Sequence, residues 1–358
     1  MKKFMLKCGA SIVTCLCIFA PITGKSAYSN PGVNVISGYV FEDINLNESK
    51  EPNDPPLVNA VVSDGFSVVT TDKTGRYELT LKETPHRVVF LSMPSGYRAS
   101  KYGSHYHYIK GQQAEYSFAV SKVSPRQTES LTFVQYTDPH MGKKTTVETI
   151  AKFRREIEEE IKPDILMITG DLVNGAKSGS AAKEMFNTYL EEHRQYKIPV
   201  YECMGNHDVF HHIPKTEPES EKGAYQMLIG PTYYSFNYAG VHFVCLDTMP
   251  LNENQLTWFE KELSYVPPGT PLVFLIHVPV FEMEKSKPLF EKFIDAAREH
   301  KILAVLSGHT AASVERHPQG FPMIVTSAVY HGNSGYRIGI IRDGQFFSFH
   351  KTFGVKNL

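Results

Sequence analysis

The sequence predicts a layered α/β domain preceded by a small all-β domain. From Leu131 onward, short runs of branched and aromatic residues alternate with amphipathic stretches, the pattern of buried strands joined by helices. From about Val35 to Val120 the runs are shorter, alternate in polarity and are separated by turn residues, as in a β-sandwich. Five runs in the second half end directly in Asp, Asn or His, which points to one chemically active edge of a sheet.

Composition limits the classes of partner. The chain has 358 residues, 42% of them hydrophobic, which is ample for two folded cores. Its formal net charge of -1 gives no sign of a nucleic-acid polymer or an anionic membrane as partner. Composition alone does not choose among small-molecule, lipid and nucleotide ligands.

The N-terminus predicts export. Met1-Lys2-Lys3 precedes an apolar stretch to about Phe19, and a small-residue region follows that ends near Ala27 or Ser29. This order is typical of a secretory signal peptide, which we assign to residues 1–29. The apolar stretch is too short for a secure membrane span, so we expect no transmembrane segment after cleavage and a secreted or periplasmic protein.

Residues 30–122 are predicted to form the all-β domain. The opening at residues 37–41 and the hairpin at residues 71–77 resemble the transthyretin-like or carboxypeptidase-regulatory-like module. The segment at residues 121–127, which contains Pro125, is a plausible linker to a second domain over residues 128–358.

Periodicity predicts four amphipathic helices and a terminal hairpin in the second domain. The helices are expected at residues 147–161, 181–196, 254–263 and 288–300. The hairpin has its turn at Asp343-Gly344. These patterns alone support an α/β layered domain and no finer assignment.

Five strand ends carry candidate metal ligands. They are Asp138-Pro139-His140, Gly170-Asp171, Gly205-Asn206-His207-Asp208, His277 and Gly308-His309. Imidazole with carboxylate and amide oxygens, and no neighbouring thiolate, suits a catalytic rather than a structural metal centre. Each segment alone has an ordinary explanation as a turn or a packed histidine. Because residues of metal-binding type stand at all five strand ends, coincidence is a poor explanation.

In this order the five segments resemble the calcineurin-like metallophosphoesterase family over roughly the last two-thirds of the chain. The resemblance implies a four-layer αββα sandwich with metals at the sheet edges. It also implies two ions, divalent or trivalent, of Mn, Fe or Zn. Asp138 and His140 would bind the first ion, Asp171 would bridge both, and Asn206, His277 and His309 would bind the second.

The same resemblance assigns roles around the phosphate. His207 would assist the leaving group while a metal-bound hydroxide attacks phosphorus. Asn206 would also contact substrate. His211 lies in the loop after this block, where a contact with the substrate phosphate is plausible. We expect residues 209–223 and 281–287 to shape the pocket.

Two departures from the family pattern bear on function. Ala311 stands where the family has a histidine that completes the first metal's shell, so that site is expected to be weak or empty, or to recruit His331, His211 or His212. Asn174 stands where relatives carry Asp or Tyr. We expect an exported hydrolase of phosphate mono- or diesters. The alternative is a catalytically impaired relative that binds a phosphate ligand or acts at the cell surface.

The remaining histidines and cysteines are expected to be structural. His193, His300, His317 and His350 are predicted to be exposed. Cys203 and Cys245 lie in predicted buried strands, and we expect two free thiols rather than a disulfide.

Overall fold

The computed structural model describes residues 33–101, 104–123, 130–142, 147–310, 312–329 and 335–354. The predicted signal peptide, Ala311 and His331 lie outside the described residues. Cys203 and Cys245 are buried free thiols, as expected. None of the described helices is long and apolar enough to cross a membrane.

The N-terminal module is a sandwich of two four-stranded sheets, with strand orders β4-β1-β8-β6 and β3-β2-β5-β7. The side chains of β4 alternate between exposed and buried along the strand, as expected where one face of a sheet covers a core. The strands are β1 (Val35–Glu42), β2 (Val61–Ser63), β3 (Val68–Thr70), β4 (Arg76–Thr80), β5 (Val88–Leu91), β6 (Tyr97–Ala99), β7 (Tyr106–Tyr108) and β8 (Phe118–Lys122).

The second domain contains a five-stranded sheet, β11-β10-β9-β18-β19, and a six-stranded sheet, β12-β13-β14-β15-β17-β16. The strands of the first are β9 (Ser130–Tyr136), β10 (Ile165–Thr169), β11 (Val200–Cys203), β18 (Gly335–Arg342) and β19 (Gln345–Thr352). Those of the second are β12 (Tyr234–Tyr238), β13 (Val241–Cys245), β14 (Pro271–Leu275), β15 (Lys301–Ser307), β16 (Val314–Arg316) and β17 (Met323–Val325).

Five α-helices flank these sheets in the described part of the chain. Four lie close to the predicted positions, and the short helix Gly223–Leu228 was not predicted. The helices are α1 (Val147–Glu156), α2 (Gly179–His193), α3 (Gly223–Leu228), α4 (Glu253–Leu263) and α5 (Lys287–Ala296). The Ser178 side chain accepts the N–H of Ala181 and caps α2, and Asn252 caps α4 in the same way. The predicted helix over residues 147–161 does not stay regular, because its last turn, Ile157–Ile161, widens into a π-helix.

Side chains along β9 and β10 point alternately to the two faces of the sheet, and this arrangement produces the four layers. Phe133 and Met167 belong to the core that also contains the residues of the six-stranded sheet. Tyr136 and Ile168 point the other way, into the core that contains α1 and α2. Because neighbouring strand residues face opposite sides, one buried sheet serves two cores. The αββα sandwich implied by the sequence is therefore confirmed.

The module and the second domain share one hydrophobic core. Met93 forms a parallel bridge with Phe236, so the segment after β5 continues the six-stranded sheet beyond β12. The Phe90 ring lies edge-on to Trp258 of α4, with centroids 6.1 Å apart. The Ser92 and Ser235 hydroxyls are hydrogen-bonded at 2.7 Å. The module is thus fixed against the sheet rather than tethered by a linker alone.

One histidine expected at the surface is buried. His193, at the end of α2, is 5% exposed and stacks on Tyr189 with ring centroids 3.6 Å apart. Its Nδ1 contacts the Tyr189 carbonyl at 2.7 Å and its Nε2 contacts the Tyr136 hydroxyl at 2.5 Å. The prediction was wrong because a histidine with both nitrogens satisfied can be packed like an aromatic residue.

Candidate metal centre

The five predicted segments meet at one edge of the two sheets. β9, β10 and β11 run parallel, as do β14 and β15, so their carboxyl ends share an edge within each sheet. Asp138 and His140 follow β9, Asp171 follows β10 and Asn206 follows β11. His277 follows β14 and His309 follows β15.

Asp171 connects two groups of candidate ligands. Its Oδ2 lies 3.3 Å from His140 Nε2, and its Oδ1 lies 3.3 Å from His277 Nε2. One group contains His140, Asp171 and His207, and the other contains Asp171, His277 and His309. The carboxylate is therefore shared by both groups of candidate ligands.

His277 has more polar neighbours than its protons can satisfy. Its Nε2 lies 3.0 Å from Asn206 Oδ1 and 3.3 Å from His309 Nδ1, in addition to Asp171. One ring nitrogen carries at most one proton. Ligands held at about 2.0–2.2 Å from one ion are themselves separated by roughly 3.0–3.5 Å. The donor set and its spacing therefore fit a divalent metal ion.

Asp138 joins the cluster from the other side. Its Oδ1 lies 3.5 Å from His140 Nε2, and its Oδ2 accepts the backbone N–H of His309 at 3.0 Å. The Thr137 hydroxyl donates to the same oxygen at 2.6 Å. These bonds link the strand ends of the two sheets and leave Oδ1 facing the histidine.

The backbone carries strain at four candidate ligands. Asp138, His140, Asp171 and His309 have φ values of 55°, 44°, 55° and 72°. Such left-handed conformations cost roughly 1–3 kcal/mol each and occur where the surrounding structure holds a side chain in a required place. Here they turn four ligands toward a common centre.

Two glycines allow the strand ends to approach. A Cβ at Gly205 would lie 2.2 Å from the Asp171 carboxylate, and one at Gly308 would lie 1.8 Å from the Thr137 hydroxyl. Any larger residue would push the ligands apart. Glycine therefore precedes both Asn206 and His309 in the sequence motifs for a steric reason.

Electrostatics also favour a cation here. Burial lowers the pKa of His277, but the Asp171 carboxylate outweighs it and raises the pKa to about 9. Burial raises the pKa of Asp171, but His277 and the backbone N–H of His207 bring it down to about 2. A buried carboxylate thus keeps its charge and attracts positive charge to the site.

The sequence did not predict the contacts by which several residues support the candidate ligands. Asn174 Oδ1 lies 3.1 Å from His140 Nδ1, and the Thr169 carbonyl lies 2.7 Å from His277 Nδ1. These contacts direct each Nε2 toward the centre. Asp208 is buried and accepts the backbone N–H groups of Gly205, Leu172 and Val173. It fastens the loop after β11 to the loop after β10, and only its place in the Gly-Asn-His-Asp block could have revealed it.

The predicted catalytic histidine lies beside the ligands. His207 is half-buried, its ring meets that of His140 edge-on with centroids 4.6 Å apart, and its backbone N–H donates to Asp171 Oδ1 at 2.8 Å. One of its ring nitrogens lies within 4.8 Å of ligand atoms of His140 and Asp171, so its position also suits a metal ligand. The geometry is compatible with either role.

His211 and His212 do not reach this centre. His211 is an exposed residue whose Nδ1 lies 2.6 Å from Glu221 Oε2. Neither histidine belongs to a ligand group among the described residues, so neither replaces the family histidine absent at position 311. A substrate contact by His211 remains a prediction.

Comparison with known families agrees with this geometry. Residues 44–123 match the model for the N terminal of calcineurin-like phosphoesterase, and residues 131–313 match the calcineurin-like phosphoesterase model. This chain therefore belongs to the calcineurin-like phosphoesterase family. No curated protein matched in a separate search.

Several solved structures resemble this chain at low identity and with TM-scores below 0.5. GAP50, the anchor in the inner membrane complex of Plasmodium, is 12% identical with a TM-score of 0.43, covering 63% of this chain and 85% of that one. Haemophilus influenzae NAD nucleotidase is 13% identical with a TM-score of 0.37, covering 62% and 49%. Cryptosporidium parvum vacuolar protein sorting 29 is 14% identical with a TM-score of 0.32, covering 63% and 98%. These likenesses are too distant to carry an argument about activity.

Proposed function

We propose that this protein is an exported, metal-dependent hydrolase of phosphate mono- or diesters. The observation that carries the proposal is the position of Asp171 between two groups of histidine ligands at one sheet edge. Family membership supports the reaction class. The lysine-rich, apolar N-terminus of the sequence supports export.

The residues fit metal ions in two places. Asp138, His140 and Asp171 would hold one, while Asp171, Asn206, His277 and His309 would hold the other. Bound ions supply Lewis acidity toward phosphoryl oxygens and activation of water for in-line displacement. The protein fixes the ligands through backbone strain and through the contacts of Asn174 and Thr169.

His207 is placed to handle the proton of the leaving group. It is partly exposed, beside the junction formed by Asp171, and its backbone is held by that carboxylate. Protonated His207 would donate to the departing oxygen, and this matters most when the leaving alkoxide is a strong base.

The central experiment compares metal content with turnover. The mature protein is stripped, reloaded with Mn, Zn or Fe, and assayed on aryl phosphate mono- and diesters, with elemental analysis of each sample. Asp171→Ala should lose metal and hydrolysis, while Asp295→Ala, at an exposed aspartate of α5, should keep both. Tight metal binding without turnover on this panel would instead support the non-catalytic alternative. The ion count per chain also shows whether the first site is filled.

A second experiment tests His207. His207→Ala should reduce hydrolysis of alkyl phosphates by about 10²- to 10⁴-fold, the range of general acid catalysis, and affect nitrophenyl phosphate much less. His317→Ala, at an exposed histidine paired with Glu315, is the matched control. Equal loss on both substrates, together with lower metal content, would show that His207 is a ligand instead.

A further inference from the structure

A cavity of about 800 Å³ lies between the module and the second domain. The module contributes Phe66, Lys82 and Arg87 to its wall. The second domain contributes Tyr233, Met249 and much of the loop over residues 209–223, which the sequence predicted to shape the substrate pocket. The volume is within the range of pockets that hold small molecules, about 300–1,000 Å³. None of the six candidate metal ligands lines this cavity.

The cavity opens at the same sheet edge as the metal centre. β12 runs antiparallel to β13, so Tyr234 lies opposite Cys245 at the carboxyl end of β13. The parallel bridge between Met93 and Phe236 places the amino end of β5 at this edge too. Across the sheet, β14 and the Met93 segment are three strand intervals apart, a lateral separation of about 15 Å.

The near wall of the cavity adjoins the metal centre. Met249 follows Thr248, whose hydroxyl accepts the N–H of Val278, the residue after His277. On the other side, Val209 lines the cavity two residues after His207. A molecule whose phosphate lies at the metals can therefore extend along the edge into the cavity.

The far end of the cavity carries an incompletely paired cation. Arg87 is only 7% exposed, and its Nη1 donates to the Val33 carbonyl at 2.9 Å. Its Nη2 is buried and has no partner among the described residues. Such a donor, which always carries charge, suits a carboxylate or phosphate. The exposed Lys82 lies on the same wall.

The acidic residues of the wall are already engaged. Asp64 accepts the backbone N–H groups of Phe66, Ser67 and Lys82. Glu221 is paired with His211 and with Lys215. The Glu217 carboxylate accepts the N–H of Gly179 at 3.2 Å. The module's part of the wall thus holds the basic side chains of Lys82 and Arg87 against the single carboxylate of Asp64, an excess of one positive charge.

We propose that this cavity binds the non-scissile part of the substrate, an apolar chain or ring that ends in a second anionic group held by Arg87. Phe66, Phe90, Tyr233 and Met249 line the stretch between the two charged ends. The inference rests on the proposed phosphoesterase function. It makes the module part of the substrate site and defines the substrate class as elongated esters with two anionic ends.

Three substrates of equal chain length test this inference. They are octyl phosphate, the phosphate ester of 8-hydroxyoctanoate and 1,8-octanediol bisphosphate, compared by kcat/KM. The protein should prefer the substrates with a second anion by about 10- to 100-fold, the range of a charge-assisted hydrogen bond. Whichever of the carboxylate and the bisphosphate has the higher kcat/KM shows which kind of anion the cavity prefers.

Variants connect that preference to the cavity. Arg87→Gln should reduce the ratio of kcat/KM values between the bisphosphate and octyl phosphate to near one. Lys82→Ala, at an exposed position, should reduce this ratio by a smaller factor. It is the test variant if Arg87→Gln fails to fold. Lys73→Ala, an exposed lysine in the turn before β4, should leave the ratio unchanged. No preference in the unmodified protein, or a preference that survives both substitutions in folded protein, would overturn the inference.

A binding measurement separates the two proposals. Calorimetry with 1,8-octanediol bisphosphate and octyl phosphate is performed on Asp171→Asn protein, with and without Arg87→Gln. If no ester is hydrolysed by metal-loaded protein, the proposed function fails, yet tighter binding of the bisphosphate that depends on Arg87 still supports the cavity. Equal binding of both molecules would contradict it.

Discussion

Asn174 shows how one side chain outside the ligand set controls the centre. It occupies a position at which relatives carry Asp or Tyr. Its amide oxygen lies 3.1 Å from Nδ1 of His140. A neutral acceptor there selects the tautomer with Nδ1–H and leaves Nε2 free to bind a cation.

Removing this acceptor should weaken the metal site. We expect Asn174→Ala to lower metal affinity or activity by about 10- to 100-fold, as other changes behind metal-bound histidines do. Asn174→Asp keeps an acceptor and should retain most of the metal. Elemental analysis after dialysis against a chelator measures the difference. Equal metal retention by the alanine variant and the unmodified protein would show that His140 needs no such support.

Strand β18 depends on a glycine for its place between β9 and β19. Gly339 lies directly opposite Phe133, whose ring covers it. A Cβ at this position would lie 2.0 Å from Cζ of Phe133. The ring is fully buried between the two sheets and has little room to move.

Gly339→Ala should therefore destabilise the protein by about 1–3 kcal/mol through overpacking. Adding Phe133→Leu removes the clash and should restore part of the loss. Free energies of unfolding from denaturant titration provide the comparison. If the double variant were less stable by the sum of the two single losses, the steric explanation would be wrong.

At the scale of the whole molecule, the module and the second domain should unfold together. Their shared core includes Phe90, packed against both Tyr234 and Trp258. Calorimetry should show one transition, because exposing either part uncovers apolar surface of the other. Phe90→Ala should cost about 3–5 kcal/mol and move the single transition. Phe347→Ala, at a 55% exposed position, is the control. Two separate transitions would mean that the parts are independent.

Acid should also destabilise the whole fold, through buried neutral histidines. Burial lowers the pKa of His193 and of His242 to about 3 in the folded protein. The unfolded chain binds these protons near pH 6.5, so stability is lost as the pH falls from there toward 3. Each histidine contributes up to about 1.4 kcal/mol per pH unit.

Unfolding free energies of the unmodified protein and a variant between pH 6.5 and 5 test this. Burial raises the pKa of Glu202 to about 8 and that of Asp208 to about 7, but these groups contribute to both proteins and do not affect the difference between them. His193→Gln should flatten the pH dependence. A slope that is the same in the variant would show that His193 does not titrate on unfolding.

The pattern of residues predicted an α/β layered domain and the side chains that cluster at its strand ends, and the family resemblance added the four layers. This was possible because periodicity defines strands and helices, and parallel strands bring their carboxyl ends to one edge. Asp138, Asp171, Asn206, His277 and His309 could thus be placed together from residues far apart in the chain.

The residues that support that edge, and the cavity beside it, became visible only in the folded chain. Nothing local to Asn174 indicates His140 as its partner, and nothing local to His193 indicates burial. The place of Arg87 beside a cavity depends on the bridge between Met93 and Phe236, which joins segments more than a hundred residues apart. Such contacts follow from how whole layers pack, because side chains from several elements must fill one space, and that information is absent from any short stretch of sequence.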